Sequence, residues 1–344
     1  MSAETPTVEG RQDRLLWIAG LVLVLLGVAV MMSGIAPGLS GPILIVIEVG
    51  IFFLLYALLV LPVNVQFGVS GLVNFGPVLW FGIGAYATAM LASTGSYQGQ
   101  TFGLPWPFAV LVGVVLAVLV GLLLGVTTLQ LRGDFLAVVT LASAEIFYGI
   151  VEKVGGFGGA TGIGGVPRIF EAGSFPMTDV AVTFILAGIV VFVYALAQRI
   201  TFSPYGRVLK AIRSDEDATE ALGKPTFRYK ILVFVYGAVI MGLAGSLLAL
   251  YNGAVSPGFI TLDVTVLVWI GMLIGGAGSN RGAVFGLAIV MGLQLFTRFA
   301  NDAFPVSQSE FAALRLMIVG LLLVVIIRYR PSGIWGNPEE REVL

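Results

Sequence analysis

Long apolar runs separated by short polar stretches make up most of this sequence from Leu15 onward. A helix needs roughly 20 apolar residues to cross the hydrocarbon core of a bilayer. Ten runs approach this length: Leu15–Met32, Ile43–Leu61, Pro77–Ala92, Trp106–Thr127, Asp134–Val151, Thr178–Ala197, Lys230–Tyr251, Leu262–Ile274, Ala283–Phe299 and Ala312–Ile327. The pattern predicts an all-α integral membrane protein with about ten transmembrane helices and glycine-rich broken segments, within a range of about eight to eleven helices.

The composition agrees with a position in a membrane. Apolar residues make up 58% of the chain, charged residues 11%, and the mean hydropathy is +1.01, whereas soluble chains are about 25% charged. The chain has no cysteine and no histidine, which excludes disulfides, thiolate metal sites and the usual proton carrier near neutral pH. A net charge of −1 does not suit a nucleic-acid partner. We expect a multi-pass protein of the cell membrane, surrounded by lipid, with no catalytic residue, no metal and no cofactor bound by this chain.

Lysine and arginine are unevenly distributed over the connections between the runs. Cytoplasmic loops of membrane proteins carry the positive excess. With ten spans and a cytoplasmic N-terminus, fourteen of the 18 basic residues lie inside, and four lie outside: Lys153, Arg168, Arg298 and Arg315. The sequence therefore predicts cytoplasmic tails at 1–14 and 331–344 and a transmembrane domain at 15–330, in which 198–229 forms the longest inner loop.

Two segments are too polar or too rich in glycine for a continuous lipid-facing helix. They are Pro62–Gly76 and Leu273–Gly286, which fall in different halves of the chain and form a loose pair. Irregular backbone at membrane depth is tolerated where it is buried in protein or lines a wet cavity, and transporters place such breaks near their substrate site. Four polar side chains of the first segment are candidates for a translocation pathway, or alternatively bind helices together: Asn64, Gln66, Ser70 and Asn74.

Two carboxylates interrupt the apolar runs. Glu145 lies about eleven residues into the fifth run, close to the middle of the bilayer at ~1.5 Å per residue. A charge there costs roughly 2.5 to 3.5 kcal/mol on insertion scales, so Glu145 should face the bundle interior, be neutralised, or line the pathway. Glu48 lies near the outer end of the second run, where it can reach the interface.

The stretch Ile212–Pro225 concentrates four carboxylates in the predicted inner loop. Ser203 before Pro204 indicates the start of a helix, and Ser214 with Asp217 fits a capping box for a second, short helix that Gly223 and Pro225 would end. Three residues are expected to make its apolar contacts: Ala218, Ala221 and Leu222. Such an element is either a solvated loop helix or a rigid docking point for a soluble partner.

Several segments resemble the membrane subunits of ATP-binding cassette importers for branched-chain amino acids, of the LivM type. They are "QFGVSGLVNFGPVLWFGIGAYATAML", "LRGDFLAVVTLASAEI", "TGIGGVP", "SPYGRVLKAIRSDEDATEALG" followed by "YKILVFV", and "RYRPSGIWG". The family's cytoplasmic motif is carried here by Glu216, Ala218, Thr219 and Gly223, where Thr219 replaces the more usual alanine; Pro77 stands where the family often has histidine. The resemblance implies contact with the ATPase through this loop, at residues Arg213, Asp215, Glu216, Asp217, Ala218, Thr219, Glu220 and Gly223.

The resemblance also implies a set of partners. They are a second permease subunit, most simply a different one, two cytoplasmic ATPases that use ATP, and an extracytoplasmic solute-binding protein. Urea and short-chain amide importers use similar subunits, so the solute stays open. An ion-coupled secondary carrier that uses Glu145 is the alternative from a different class, whereas an intramembrane enzyme has little support.

Overall fold

The computed structural model describes residues 40–95, 101–129, 135–168, 177–300, 308–330 and 332–336. Its helices are α1 (Ser40–Val63), α2 (Pro77–Ala92), α3 (Trp106–Thr128), α4 (Phe135–Lys153), α5 (Met177–Phe202), α6 (Pro204–Ser214), α7 (Glu216–Ala221), α8 (Thr226–Asn252), α9 (Leu262–Gly275), α10 (Asn280–Ala300) and α11 (Gln308–Tyr329). A π-helical turn, Asn64–Val69, continues α1. Within the described ranges, one antiparallel pair joins β1 (Ile163–Gly164) to β2 (Ala254–Val255). The predicted all-α membrane fold is confirmed.

Six described segments are long and apolar enough to cross a membrane: Ile45–Val69, Trp106–Thr128, Phe135–Lys153, Asp179–Phe202, Thr226–Asn252 and Pro257–Gly275. Three shorter apolar helices accompany them: Pro77–Ala92, Asn280–Leu295 and Met317–Ile326. The first predicted run, Leu15–Met32, lies outside the described residues, as does the tail 1–14. The total of ten spans therefore stays a prediction.

Helices α2 and α8 cross with their backbones in direct contact. A Cβ atom on Gly84 would overlap the carbonyl oxygen of Gly242, and one on Gly245 would overlap that of Phe81. The Thr88 hydroxyl donates to Ser246 Oγ at 2.9 Å beside this crossing. Small residues allow membrane helices to approach closely and gain dispersion energy, and α1 and α3 pack around the crossing.

Contacts between the connections fall into two groups, at opposite ends of the helices. The inner end is formed by residues 64–76, 198–230, 274–280 and 332–336; there Ile334 N–H donates to Ile274 O at 3.0 Å. The outer end is formed by 93–95, 101–105, 154–168 and 252–261; there Ser93 Oγ donates to Gly164 O at 2.6 Å. This grouping agrees with the predicted alternation of the spans. Which end faces the cytoplasm stays a prediction.

The described part of the C-terminal tail closes the inner end of α9. Trp335 N–H donates to the Gly275 carbonyl at 2.9 Å, and the Trp335 ring meets Phe285 edge-on with 4.5 Å between centroids. The last carbonyls of a helix lack partners within that helix. Residues 332–336 supply N–H donors for two of these carbonyls in α9. The rest of the predicted tail lies outside the described residues.

Candidate functional site

The first interrupted segment is a π-helical turn followed by an extended stretch. Helix α1 passes through Pro62 and ends at Val63, two residues beyond the predicted run, and the wider turn Asn64–Val69 follows it. Gly71, two residues after the turn, has a φ of +73°. The four polar candidates of this segment are buried, with at most 3% exposure: Asn64, Gln66, Ser70 and Asn74. Single π-helical turns are rare and occur frequently at functional sites.

The two interrupted segments touch each other. Asn64 Nδ2 donates to Asn280 Oδ1 at 2.8 Å, and the Gly278 N–H donates to Asn64 Oδ1 at 2.8 Å. Asn280 Nδ2 also lies 3.5 Å from Gln198 Oε1 and 3.4 Å from Thr201 Oγ1 on α5. The loose pairing seen in the sequence is thus a direct contact, and Asn280 is a polar residue of this cluster that the sequence did not single out.

Gln66 and Asn74 connect the same turn to α8 and α9. Gln66 Nε2 lies 3.3 Å from Val233 O and 3.4 Å from Phe234 O, and its Oε1 accepts from Asn74 Nδ2 at 2.8 Å. The Asn74 carbonyl accepts from Trp269 Nε1 at 2.9 Å. The four polar candidates therefore satisfy backbone groups and join helices here, as the structural alternative expects, and their part in a pathway stays a prediction.

Glu145 lies in the middle of α4 on a face that this chain leaves exposed. The nearby side chains Val138 and Ile146 are 62% and 64% exposed, and Glu145 itself is exposed. Glu145 therefore does not face the interior of this chain's helical bundle. Towards the outer end, Tyr148 donates to Glu152 Oε1 at 3.4 Å. A mid-bilayer carboxylate is costly against lipid, so this face suits contact with protein or water.

The caps of the inner helix pair α6–α7 differ in one respect from the prediction. Ser203 Oγ accepts from Gly206 N–H at 3.2 Å with Pro204 at the first helical position, as expected. The predicted capping box at Ser214 is wrong, because Ser214 is the last residue of α6 and its hydroxyl donates to Lys210 O at 3.1 Å. Asp215 has the extended backbone that a cap requires, and its carboxylate accepts from Ala218 N–H at 2.9 Å.

The end of α7 follows the prediction. Gly223 has a φ of +78°, its N–H donates to Glu220 O at 2.8 Å, and the Lys224 N–H lies 3.4 Å from Thr219 O. These two bonds are the pattern of the Schellman motif. The short helix is therefore fixed at both ends.

The expected apolar contacts of α7 are wrong. Ala218 and Ala221 are exposed, and Leu222 is 82% exposed. The buried residue of the helix is Thr219, at 5% exposure, and its hydroxyl donates to Asp215 O at 2.7 Å. The helical spacing identified an apolar side correctly, but no surface in the described part of the chain covers it. Two acidic residues, Asp217 and Glu220, are exposed beside that side.

Arg213 and Glu216, predicted to contact an ATPase, point towards the membrane helices. The Arg213 guanidinium donates to the Gly68 carbonyl of the π-helical turn. Glu216 Oε1 lies 2.6 Å from Lys230 Nζ on α8, with side-chain exposures of 41% and 11%. In the sequence, Lys230 counted only as one of the positive charges that set the membrane orientation, and its pairing with Glu216 was not predicted.

Tyrosines also join α6 to the start of α8. The Tyr205 hydroxyl donates to Tyr229 O at 2.8 Å, and the two rings stack with 5.1 Å between centroids. Burial, followed by the nearby Tyr229, raises the pKa of Tyr205 to about 12. The phenol is therefore neutral at physiological pH and acts as a hydrogen-bond donor.

The sequence matches a known protein family over most of its length. Residues 45–327 match the family described as branched-chain amino acid transport system / permease component. The chain belongs to this permease family. This confirms the resemblance drawn from the sequence motifs, and it agrees with a transport subunit rather than an enzyme.

Named relatives of the permease family cover most of the chain. The high-affinity branched-chain amino acid transport system permease protein LivM of Salmonella typhimurium is 29% identical over 84% of this chain and 69% of its own. A probable LivM permease of Methanocaldococcus jannaschii is 26% identical over 83% of this chain and 91% of its own. LivH of Escherichia coli is 25% identical over 84% and 93%, respectively. No solved structure matches the chain.

Proposed function

We propose that this permease is a membrane subunit of an ATP-binding cassette importer and forms half of a translocation pathway for branched-chain amino acids in the cell membrane. The family match supports the transport role. Escherichia coli has both a LivM and a LivH permease protein related to this chain, at 29% and 25% identity. That pair favours a second, different permease subunit as the partner across the pathway.

The observation that carries the coupling role is the exposed tip of α7. Leu222 is 82% exposed on a helix whose two ends are both fixed by hydrogen bonds. A large apolar side chain on a rigid protrusion suits insertion into a pocket of a partner, since buried apolar anchors dominate interface energies. We assign α7, with exposed Asp217 and Glu220 beside Leu222, to contact with one ATPase subunit; ATP is bound and hydrolysed there.

The orientation follows from the same assignment. The inner end carries α6–α7 and most of the lysine and arginine, so it faces the cytoplasm with both termini. The outer end then receives the solute from an extracytoplasmic binding protein. Closure of the two ATPases on ATP would move the inner helix pair and change access to the pathway from outward to inward.

The exposed face of α4 supports a paired permease over a self-sufficient carrier. Glu145 sits between exposed apolar residues at mid-bilayer, where a lipid-facing carboxylate is costly. A second permease across the pathway would cover this face. An ion-coupled carrier instead requires Glu145 to bind the coupling ion without a second permease subunit.

The test is reconstitution of the permease pair with its ATPases and binding protein in liposomes. ATP-dependent uptake of leucine, isoleucine and valine, well above uptake of urea or acetamide, is the expected result. Preference for urea or amides would reassign the solute. Accumulation of solute by this chain alone under a proton or sodium gradient would replace the importer with the secondary carrier.

The docking role is tested by Leu222→Asp, which places a charge at the apolar tip. It should abolish binding of the ATPase and ATP-driven uptake while membrane insertion stays normal. Val154→Asp is the control for ATPase binding, because it likewise replaces an exposed apolar side chain with aspartate, at the outer end. Equal ATPase binding by Leu222→Asp and the parent would rule out α7 as the contact.

A further inference from the structure

We propose that the π-helical turn Asn64–Val69 is the membrane element that moves with the inner helix pair, and that Arg213, Glu216 and Lys230 transmit the movement to it. The proposal rests on the proposed function, because it assumes that a partner pushes or pulls α7. It assigns these three side chains to work inside the permease instead of contacting an ATPase. They are positioning residues for transport.

The first connection runs from the end of α6 to the end of the turn. Three carbonyls of the turn accept backbone N–H groups of the residues that follow it: Ser70 donates to Val65 O, Gly71 to Phe67 O and Leu72 to Gln66 O. The Gly68 carbonyl is bound by the Arg213 guanidinium. A cation at a helix C-terminus is favoured by the helix dipole. A Cβ atom on Gly71 would lie 3.0 Å from Arg213 Cγ, so the arginine stem lies against the backbone there.

The second connection runs from α7 through α8 to the same turn. Glu216 Oε1 lies 2.6 Å from Lys230 Nζ. Lys230, Val233, Phe234 and Gly237 lie at positions i, i+3, i+4 and i+7, which form one face of a helix. The carbonyls of Val233 and Phe234 lie 3.3 and 3.4 Å from Gln66 Nε2. A Cβ atom on Gly237 would overlap Gln66 Nε2, so this glycine makes room for the amide.

The proposed movement requires a second arrangement of the turn, and we expect it to be reached by exchange of π-helical for α-helical hydrogen bonds. A π-helical turn holds one residue more than an α-helical turn. When the turn changes to α-helical bonding, that residue passes into the next segment, which shifts the following backbone by about 1.5 Å and rotates it by roughly 100°. Its connection to α5 runs through Asn280, whose bonds to Gln198 and Thr201 are long, at 3.5 and 3.4 Å. Such neutral bonds can be exchanged for others. Both connections from α6–α7 end on a segment that can change register.

A local reporter tests whether the turn moves. The chain contains no cysteine, so Ser70→Cys, at a residue 3% exposed, gives one reactive thiol beside the turn. In the complete importer, ATP should change its labelling rate by a thiol reagent at least about fivefold, the lower limit of typical couplings between sites. An unchanged rate in an importer that transports normally would overturn the proposal.

Three variants test the first connection. Arg213→Gln should raise the ATP hydrolysed per solute transported and remove the ATP-dependent change at Ser70→Cys. Arg213→Lys, which keeps a charged donor for Gly68 O, should restore part of the coupling. Arg207→Gln is the matched control on α6, because Arg207 is exposed. Coupling by Arg213→Gln equal to that of the parent would contradict the role of Arg213.

Charge exchange tests the second connection. Glu216→Lys and Lys230→Glu should each uncouple hydrolysis from uptake, and the double exchange should restore coupling because it rebuilds the pair with reversed sign. A double exchange no better than either single variant would remove this pair from the proposal. If Arg213→Gln fails to assemble, the ATP-dependent labelling rate of Ser70→Cys in the otherwise unchanged chain still tests whether the turn moves. Absence of ATP-driven uptake in the complete parent importer would instead refute the proposed function.

Discussion

The side-chain amides of Asn64 and Asn280 meet at 2.8 Å although 216 positions separate them in the chain. The contact joins the π-helical turn after α1 to the start of α10, so it holds together the two breaks in the helical bundle. Both residues are at most 3% exposed. A buried amide that loses its partner costs about 1–3 kcal/mol.

Replacement of either asparagine should therefore destabilise the permease. Asn64→Leu or Asn280→Leu leaves a buried amide unpaired and should lower the unfolding temperature in detergent. The double variant should cost less than the sum of the two, with a coupling of roughly 0.6 kcal/mol and at most about 1.7 kcal/mol, the average and the maximum found for hydrogen bonds between membrane helices. Additive losses would show that the contact contributes no pairwise energy.

The crossing of α2 and α8 should tolerate no side chain. Gly84→Ala places a methyl group against the Gly242 carbonyl, and backbone atoms cannot rotate away as a flexible side chain can. We expect loss of folded protein, measured as the monodisperse yield after solubilisation. Gly149→Ala on α4 is the matched control, since nothing lies within 4 Å of its added Cβ. Equal yields of the two variants would contradict the close approach.

A glycine should be required at position 223 because of the positive φ, and not because a side chain would lack room. Nothing lies within 4 Å of an added Cβ, yet its φ is +78°. Gly223→Val should strain the end of α7 by about 1–2 kcal/mol, whereas Gly223→Asn should be milder because asparagine visits this region more readily. The measurement is ATP-driven uptake, with Gly188→Val as a control at a glycine without positive φ and with nothing within 4 Å. Wild-type uptake by Gly223→Val would disprove this requirement.

Glu145 should not serve as a proton relay. In the complete importer, uptake should continue when an ionophore collapses the proton gradient, and Glu145→Gln should keep ATP-driven uptake with the same pH profile as the parent. The comparison is made at several pH values with ATP constant. Loss of uptake on collapse of the gradient alone would favour the ion-coupled carrier.

Tyr205 should make the inner end sensitive to alkaline pH. Burial raises the pKa of its phenol from 10.0 to about 12, so the folded state holds the proton more tightly than the unfolded state. This stabilisation is complete below pH 10 and is lost as pH rises through about 12. Tyr205→Phe should lower the unfolding temperature near neutral pH, by removal of the bond to Tyr229 O, and should lose less stability between these two pH values. Parallel pH profiles for the two proteins would contradict the assignment.

The sequence predicted the helices of the described residues well because apolar length and punctuation are local properties. It predicted α2 at Pro77–Ala92, as observed, and α3 to within one residue of its end at Thr128. It also located both breaks, since proline, glycine and polar residues interrupt the apolar runs there. The ends of α7 followed from cap chemistry, although Asp215 took the place expected of Ser214 because only Asp215 leaves helical geometry.

Partners across the molecule could not be predicted in the same way. An amide such as Asn64 carries no information about which distant group it binds, so Asn280 went unnoticed. Lys230 could be read as a charge at the end of a span, but not as the partner of Glu216. Leu222 shows the same limit: periodicity gives the side of a helix on which it lies, whereas burial depends on what the rest of the chain places opposite.

Main-chain and side-chain bonds occur at both ends of the permease, but the buried amide cluster belongs to the inner end. The outer end relies largely on main-chain bonds, such as Val166 N–H to Gly253 O at 3.0 Å and Thr94 N–H to Gly165 O at 3.2 Å, together with the β1–β2 pair. Every residue except proline brings the same main-chain donor and acceptor. Apart from glycines such as Gly158 and Gly162, where a Cβ atom would overlap backbone, residues of the outer end can thus be replaced singly without loss of these bonds, whereas the amide cluster of the inner end must evolve by concerted replacement.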